Sequence, residues 1–254
     1  MELIDTHCHL DVEEFAPDRE QVLARCAAAG VTRLVVPGIV AATWGQLLEL
    51  CAQHDGLYPA LGLHPVYLDM HTPQDVELLR HAIDQNHPVA VGEIGLDFFV
   101  AGLDQERQKT LLGAQLQVAR EAELPVLLHV RKAHDQALSL LKKNRVCGGI
   151  CHAFNGSLQQ ARQYIDMGFK LGFGGMLTYE RSNHLRRLAA ELPPEAIVLE
   201  TDAPDMSVAS HHGERNSPEY LPQCLAALAE LRDEPLEELA RQTTANALAV
   251  LNLH

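Results

Sequence analysis

The chain has 254 residues, of which 47% are hydrophobic and 21% charged, a balance typical of a folded globular protein and not of a disordered one. Its formal net charge of −14 argues against general nucleic-acid binding, because proteins that depend on non-specific phosphate contacts usually carry a basic face. The apolar runs are too short to span a bilayer, and no signal peptide is visible at the N-terminus. We therefore expect a cytoplasmic protein whose six cysteines are reduced thiols, mostly in the core.

The first predicted strand, residues 3–7, runs directly into a pair of histidines. Residues two apart in an extended strand point to the same face, so Asp5, His7 and His9 are expected on one side. Two imidazoles that converge in this way could bind a metal ion. A short His-x-His is common by chance, however, so this pair alone does not establish a metal site. The other polar residues of the chain must show whether it belongs to one.

Helical signals separate the later strands. Residues 17–29 carry an apolar stripe at helical spacing and are followed by Gly30, a typical helix stop. Thr72 followed by Pro73 predicts a second helix start, and Ser157 opens a capping-box pattern for a third.

Alternation of strands and helices along the whole chain predicts the fold. Candidate strands lie at residues 3–7, 33–38, 58–64, 89–97, 125–130, 148–154, 169–175 and 196–202. Eight strands alternating with helices indicate a (β/α)8, or TIM, barrel. A doubly wound sheet usually has fewer strands and often a Gly-rich phosphate loop, which this sequence lacks. We predict one barrel domain over residues 1–254, closed by helices at about 218–231 and 235–250.

Polar residues recur at the carboxyl ends of six predicted strands, where barrel enzymes build their active sites. They are His7 and His9, His64, Glu93, His129, His152, and Glu200 with Asp202. Each stands in an otherwise apolar run, where a charged or imidazole side chain is costly unless it is paired or ligated. The obvious shared partner is one or more divalent cations.

Six segments in chain order carry a family resemblance: "DTHCH", "GLHP", "VGEIGLD", "LPVLLHVR", "HAFNGS" and "LETDAP". Together they resemble the TatD family of metal-dependent hydrolases and DNases, and more closely its YjjV-type members. The resemblance spans nearly the whole chain and implies an amidohydrolase-like TIM barrel with two divalent metal ions. It implies that His7, His9 and Asp202 bind one ion, that His129 and His152 bind the other, and that Glu93 bridges both.

The implied ligand set permits a two-metal hydrolysis. Two cations about 3.5–4 Å apart can generate a bridging hydroxide and clamp the attacking and leaving oxygens of a phosphodiester. Glu93 suits the bridge because a carboxylate has two oxygens, and Asp202 is the candidate for orienting the water and accepting its proton. Four imidazoles and two carboxylates suit zinc, manganese, nickel or iron better than magnesium, although the family is often described as magnesium-dependent.

Three further residues are candidate substrate contacts. His64 could contact substrate phosphate or hold a ligand, or simply bond to backbone. Glu200 could orient a ligand imidazole or form a buried salt bridge. Arg131, with Lys132 beside it, could meet phosphate or remain a solvated surface charge, and Asp97 could face the barrel opening or cap a helix.

The remaining histidines need no function. His54, His81, His87, His134 and His184 are expected at the surface, although His134 lies close enough to the fifth strand to be a weak candidate for a supporting role.

The leading interpretation is a binuclear hydrolase that cleaves DNA as an exonuclease, acting on single strands or strand ends without a membrane or an obligate protein partner. The alternative is an amidohydrolase-type enzyme acting on an amide, lactone or aminoacyl ester; the sequence does not separate the two, since both need the same hydroxide. A PHP-type phosphoesterase also begins with His-x-His, but "ETDAP" argues against it. A non-enzymatic barrel would show gaps in the ligand set, and we find none.

Overall fold

Eight parallel strands form one sheet at the centre of the protein, seen in a computed structural model that describes residues 1–253. The strands are β1 (Leu3–Asp5), β2 (Val31–Pro37), β3 (Leu57–Leu61), β4 (Ala90–Asp97), β5 (Val126–Arg131), β6 (Gly149–Cys151), β7 (Phe169–Phe173) and β8 (Ile197–Leu199). Neighbours in sequence are neighbours in the sheet. The Thr6 amide and hydroxyl both donate to the Leu199 carbonyl, at 3.1 and 3.0 Å, which brings the first strand to the last. The predicted (β/α)8 barrel is confirmed.

Helices surround the sheet. Within the described residues they are α1 (Arg19–Ala28), α2 (Trp44–Ala52), α3 (Asp75–Asn86), α4 (Gln105–Glu121), α5 (His134–Lys143), α6 (Leu158–Asp166), α7 (Asn183–Glu191), α8 (Leu221–Arg232) and α9 (Leu236–Val250). No helix of residues 1–253 has the length and apolar character needed to cross a membrane.

Helix starts follow the local capping chemistry. The capping box before α6 is confirmed: Ser157 Oγ accepts the Gln160 amide at 3.2 Å, and Gln160 Oε1 accepts the Ser157 amide at 2.9 Å. The predicted start of α3 is two residues too early: Thr72 was expected to precede the first helical residue, but Gln74 holds that place, because the Asp75 carboxylate accepts the Thr72 amide and hydroxyl and holds a turn ahead of α3. The helix predicted from residue 218 opens as a 3₁₀ turn, Pro218–Tyr220, before α8 begins.

An apolar floor fills the barrel interior on the amino-terminal side of the polar residues. Seven strands contribute one side chain each: Ile4, Val35, Ala60, Ala90, Leu127, Ile150 and Val198. Ala247 and Leu251, at the end of α9, are buried against this layer. A larger apolar cluster packs elsewhere in the core, between strands and helices. All six cysteines are free and five are buried, Cys147 being exposed.

Candidate metal centre

Glu93, buried in β4, lies at the centre of a cluster of imidazoles at the carboxyl ends of the strands. Its Oε2 atom lies 3.2 Å from His7 Nε2 and 3.5 Å from His9 Nε2. Asp202 Oδ1 lies 3.7 and 3.6 Å from the same two nitrogens. His7, His9 and Asp202 therefore form one group of side chains able to surround a cation.

Hydrogen bonds between the two ends of the sheet position this group. Strand β1 ends at Asp5, earlier than predicted, because Asp5 Oδ1 accepts the amides of His7 and Thr201, at 3.1 and 3.0 Å. The Thr201 hydroxyl donates to Asp5 Oδ2 at 2.5 Å, and the Asp202 amide donates to the His7 carbonyl at 2.8 Å. The segment that carries His7 and His9 is thus fixed beside Asp202 without continuing the strand.

The other oxygen of Glu93 faces a second set of imidazoles. Glu93 Oε1 lies 2.9 Å from both His129 Nδ1 and His152 Nε2, and 3.2 Å from His64 Nε2. Two further groups have ligand atoms close enough to share a cation: His7 with Glu93 and His152, and His64 with Glu93 and His129. One carboxylate therefore belongs to two sets of possible ligands.

The orientation of two imidazoles fits a bound metal. His129 Nε2 lies 3.1 Å from Asp97 Oδ2, and His152 Nδ1 faces Glu200 Oε1 at 3.8 Å. If the outer nitrogens, His129 Nε2 and His152 Nδ1, each carry a proton that points toward the neighbouring carboxylate, the inner nitrogens, His129 Nδ1 and His152 Nε2, both present lone pairs. The two inner nitrogens lie 3.2 Å apart. Together with Glu93 Oε1 they form three acceptors aimed at one position, an arrangement that a shared cation satisfies.

The ionisation of the cluster also favours a cation. Burial alone would raise the pKa of Glu93, but the imidazoles of His64 and His7 help to hold it well below its usual value. Burial raises the pKa of Asp202 to about 6, although His152 acts in the opposite direction. Burial opposes protonation of His152, yet the attraction of Glu93 keeps the pKa of that imidazole well above its usual value. In this cluster the positive charge of protonated imidazoles balances the negative charge of the carboxylates. A divalent ion bound there would displace those protons.

Glu200, a predicted substrate contact, is only 1% exposed and faces His152. Its Oε1 accepts the Ala153 amide at 2.5 Å, while Oε2 has no hydrogen-bond partner among residues 1–253. Gly172 makes room for this carboxylate, since a Cβ at that position would lie 2.0 Å from Oε2. The side chain is therefore better placed to orient His152 than to meet substrate.

His64 and Arg131, the other two predicted substrate contacts, take different positions. His64 Nδ1 accepts the Val66 amide at 3.2 Å, which turns Nε2 toward Glu93, deeper than the barrel opening. Arg131 is exposed, with its guanidinium over the Phe99 ring.

Asp97 lines the cavity at the barrel opening, one of its two predicted positions, whereas His134 differs from its predicted environment. The contact of Asp97 with His129 was not predicted, although Asp97 shares the two-residue alternation of Glu93 along β4, a signal that could have indicated it. His134, predicted at the surface, is buried against Tyr164.

The cluster opens into a cavity of about 770 Å³ at the carboxyl end of the barrel, hereafter the mouth. The residues that line the cavity differ in charge between its two sides. Glu14 and Asp205 line it beside β1 and β8, whereas Val100 and Arg131 line it beside β4 and β5.

Comparisons with known proteins agree on one family. The sequence model of the family described as TatD related DNase matches residues 4–252. The chain is 42% identical over 253 residues to YjjV of Escherichia coli (strain K12), an uncharacterized metal-dependent hydrolase, covering 98% of each protein. It is 34% identical over 259 residues to a protein of Pantoea sp. (strain At-9b) named 3'-5' ssDNA/RNA exonuclease TatD, covering 99% of this chain and 100% of that one.

The fold comparison gives the same result. The crystal structure of YjjV, a TatD homologue from Escherichia coli K12, matches with a TM-score of 0.96, over 99% of this chain and 98% of that one. The chain therefore belongs to the TatD family and is a metal-dependent hydrolase.

Proposed function

We propose that the protein is a binuclear deoxyribonuclease of the exonuclease type, which cleaves phosphodiester bonds at the end of a DNA strand. The observation that carries this proposal is the position of Glu93, whose two oxygens face different imidazole sets. The name of the Pantoea relative, a 3'-5' ssDNA/RNA exonuclease, supports a nucleic-acid substrate.

The proposal assigns the ligands as follows: His7, His9 and Asp202 to one ion, His129 and His152 to the other, and Glu93 to both. The imidazole-rich donor set favours zinc or manganese, with magnesium a poorer match. When bound, two divalent ions supply Lewis-acid activation of water and of the phosphoryl oxygen.

The side chains of the protein have distinct tasks in this proposal. Asp202 Oδ1, which lies 3.7 and 3.6 Å from His7 Nε2 and His9 Nε2, is assigned to orient the attacking water and to accept its proton. Asp97 orients His129 through the 3.1 Å contact with Nε2, and Glu200 faces His152 Nδ1 at 3.8 Å, beyond hydrogen-bond distance, where it favours a proton on that nitrogen. His64 contacts substrate phosphate or completes a ligand set.

An amidohydrolase-type activity on an amide, lactone or aminoacyl ester is the second candidate. It is favoured by the net charge of −14 and by the acidic residues Glu14 and Asp205 at the mouth, which suit a small substrate better than a polyanion. Both candidates use the same ligands. The single domain over residues 1–254 and the cytoplasmic location stay predictions from the sequence.

The deciding experiment uses chelator-stripped protein supplied with one metal at a time and incubated with end-labelled single-stranded DNA. We expect stepwise shortening that requires metal, with two ions bound per chain. Glu93→Gln should lower the rate by more than about 100-fold, because even outer-shell partners of a metal ligand contribute 10- to 100-fold.

The matched control is Glu77→Gln, which makes the same change at an exposed position of α3. It should cleave DNA like the unmodified protein. If two ions bind and the DNA stays intact, the nuclease proposal fails, and amide and ester substrates become the leading candidates.

A further inference from the structure

An exposed aromatic and basic surface lies beside the mouth. Six large hydrophobic side chains of residues 1–253 are exposed, and three of them stand on this side: Tyr67 at 39%, Phe99 at 49% and Val100 at 36%. Tyr67 and Val100 line the cavity, and Phe99 precedes Val100 in the loop after β4. Exposed apolar side chains that cluster in one place usually mark a binding surface.

Two cations lie against the Phe99 ring. The Arg131 guanidinium carbon is 3.6 Å from the ring centroid, and the Lys132 ammonium nitrogen is 4.6 Å from it. Arginine and lysine elsewhere in the described chain often pair with carboxylates, but neither Arg131 nor Lys132 forms an ion pair with any described residue. Their charges are therefore available to an anionic ligand.

This surface is attached to the metal centre through the sheet. Arg131 stands two residues after His129 in β5, and its Cα pairs with that of Asp97 in β4. Asp97 in turn accepts the Phe99 and Val100 amides, at 2.8 and 2.9 Å. The carboxylate that orients His129 thus also fixes the loop that presents Phe99.

Acidic residues on the opposite side of the mouth favour the binding of a polyanion at this aromatic and basic surface. In the strand order of the barrel, β4 and β5 lie opposite β8 and β1, whose side of the mouth carries Asp205 and Glu14. A phosphate backbone is repelled on the acidic side and attracted on the basic side. Repulsion of a polyanion by the net charge of −14 is screened beyond about 8–10 Å at physiological salt. Attraction by the nearby cations therefore offsets this repulsion at short range.

We propose that Phe99, Arg131 and Lys132 form the platform on which a single-stranded nucleic acid enters the mouth, a base stacking on the Phe99 ring in place of the Arg131 guanidinium, which then holds the adjoining phosphates together with Lys132. Tyr67, whose ring packs edge-on against His64 at 5.7 Å, supplies a second stacking surface nearer the metal centre. The platform rests on the proposed nuclease function. Because every base has a π-face, it binds with little sequence preference.

The test compares two substrates on the metal-loaded enzyme: a short single-stranded oligothymidylate and bis(p-nitrophenyl) phosphate, a diester too small to reach the platform. Phe99→Leu keeps an apolar side chain and removes the ring, while Phe99→Tyr keeps the ring. We expect Phe99→Leu to raise KM for the oligonucleotide by about 5- to 100-fold, the range that the loss of one base–aromatic stack gives. Phe99→Leu should raise KM for the small diester much less, and Phe99→Tyr should have an oligonucleotide KM like that of the unmodified enzyme.

Arg131→Ala should also raise KM for the oligonucleotide. It should reduce the salt dependence of oligonucleotide binding, measured by fluorescence anisotropy. Leu78→Ala, at a 51% exposed apolar position of α3, is the control for removing a surface side chain.

Three outcomes would overturn the platform. Unchanged oligonucleotide KM in Phe99→Leu overturns it and leaves the nuclease proposal standing. An equal loss on both substrates overturns it as well, since the damage would then lie in the metal centre. If the unmodified enzyme hydrolyses the diester but leaves the oligonucleotide intact, the nuclease proposal fails together with the platform.

Discussion

Asp97 determines which nitrogen of His129 is free to bind a metal. Burial would raise the pKa of Asp97, but hydrogen bonds from His129 and from the amides of Val100 and Phe99 lower it to about 2. The carboxylate is therefore ionised and accepts a hydrogen bond from the N–H of His129 Nε2. In the neutral imidazole this leaves the lone pair on Nδ1, the nitrogen that lies 2.9 Å from Glu93 Oε1.

Replacing Asp97 with asparagine should reverse this tautomer, because the new amide group can donate to Nε2 and leave the proton on Nδ1. Asp97→Asn should weaken metal affinity by about 10- to 100-fold, measured by competition with a chromophoric chelator. Asp104→Asn is the control, since Asp104 Oδ1 likewise accepts two backbone amides but forms no hydrogen bond with an imidazole of residues 1–253. Equal affinities in the two variants would contradict the role of Asp97.

Sequence alternation predicted the residue types around Glu93, but not the contact between Asp97 and His129. That contact depends on the register of β4 against β5, in which Gly95 lies opposite His129. The register shifts between Val91 and Ile94, so residue spacing alone does not indicate which side chains meet.

At the level of elements, helices α5 and α6 are joined by a buried histidine. His134, the first residue of α5, lies 3.2 Å from the Tyr164 hydroxyl through Nδ1 and 3.2 Å from Asn155 Oδ1 through Nε2. Burial lowers the pKa of His134 below its ordinary 6.5, although the hydrogen bond with Asn155 opposes the shift.

This shift should make stability depend on pH. Below about pH 6.5 the unfolded chain binds a proton at residue 134 that the folded chain resists, so the free energy of unfolding should fall as the pH falls. The slope contributed by one group is at most about 1.4 kcal/mol per pH unit. In chelator-treated protein, urea unfolding between about pH 7 and pH 5 should show a shallower loss of stability for His134→Gln.

His81→Gln, on an exposed face of α3, should keep the slope of the unmodified protein. Identical slopes in all three proteins would exclude His134 as a source of the pH dependence.

The capping signal at Ser157 was readable from the sequence, whereas the helix start predicted at Thr72 was wrong, and features that depend on packing were not readable. Ser157 and Gln160 cap each other, so their pattern predicted the start of α6. The burial of His134 depends on Tyr164, which lies 30 residues away along the chain. No local pattern around His134 reveals that neighbour.

At the level of the whole molecule, the candidate metal centre connects strands that are far apart in sequence. His7 follows β1, Glu93 lies in β4, and Asp202 follows β8, so one set of candidate ligands joins the two ends of the sheet to its middle. A cation bound there stabilises only the folded arrangement, because the unfolded chain does not bring these residues together.

Metal removal should therefore lower the melting temperature. At a metal concentration about 100-fold above Kd, binding adds about 2.7 kcal/mol, which corresponds to roughly 5–10 °C for a chain of this size. Thermal unfolding with and without chelator measures this shift, which should shrink in Glu93→Gln. A melting temperature that is the same with and without chelator would contradict a site joining these strands.

The apolar floor closes the barrel on the side away from the mouth. Ile4, Leu127 and their neighbours, covered by the end of α9, fill the interior beneath the polar cluster. If the proposed nuclease reaction takes place there, the freed nucleotide and the shortened strand would both leave through the mouth. Product release, and not bond cleavage alone, would then set how many nucleotides are removed in one binding event.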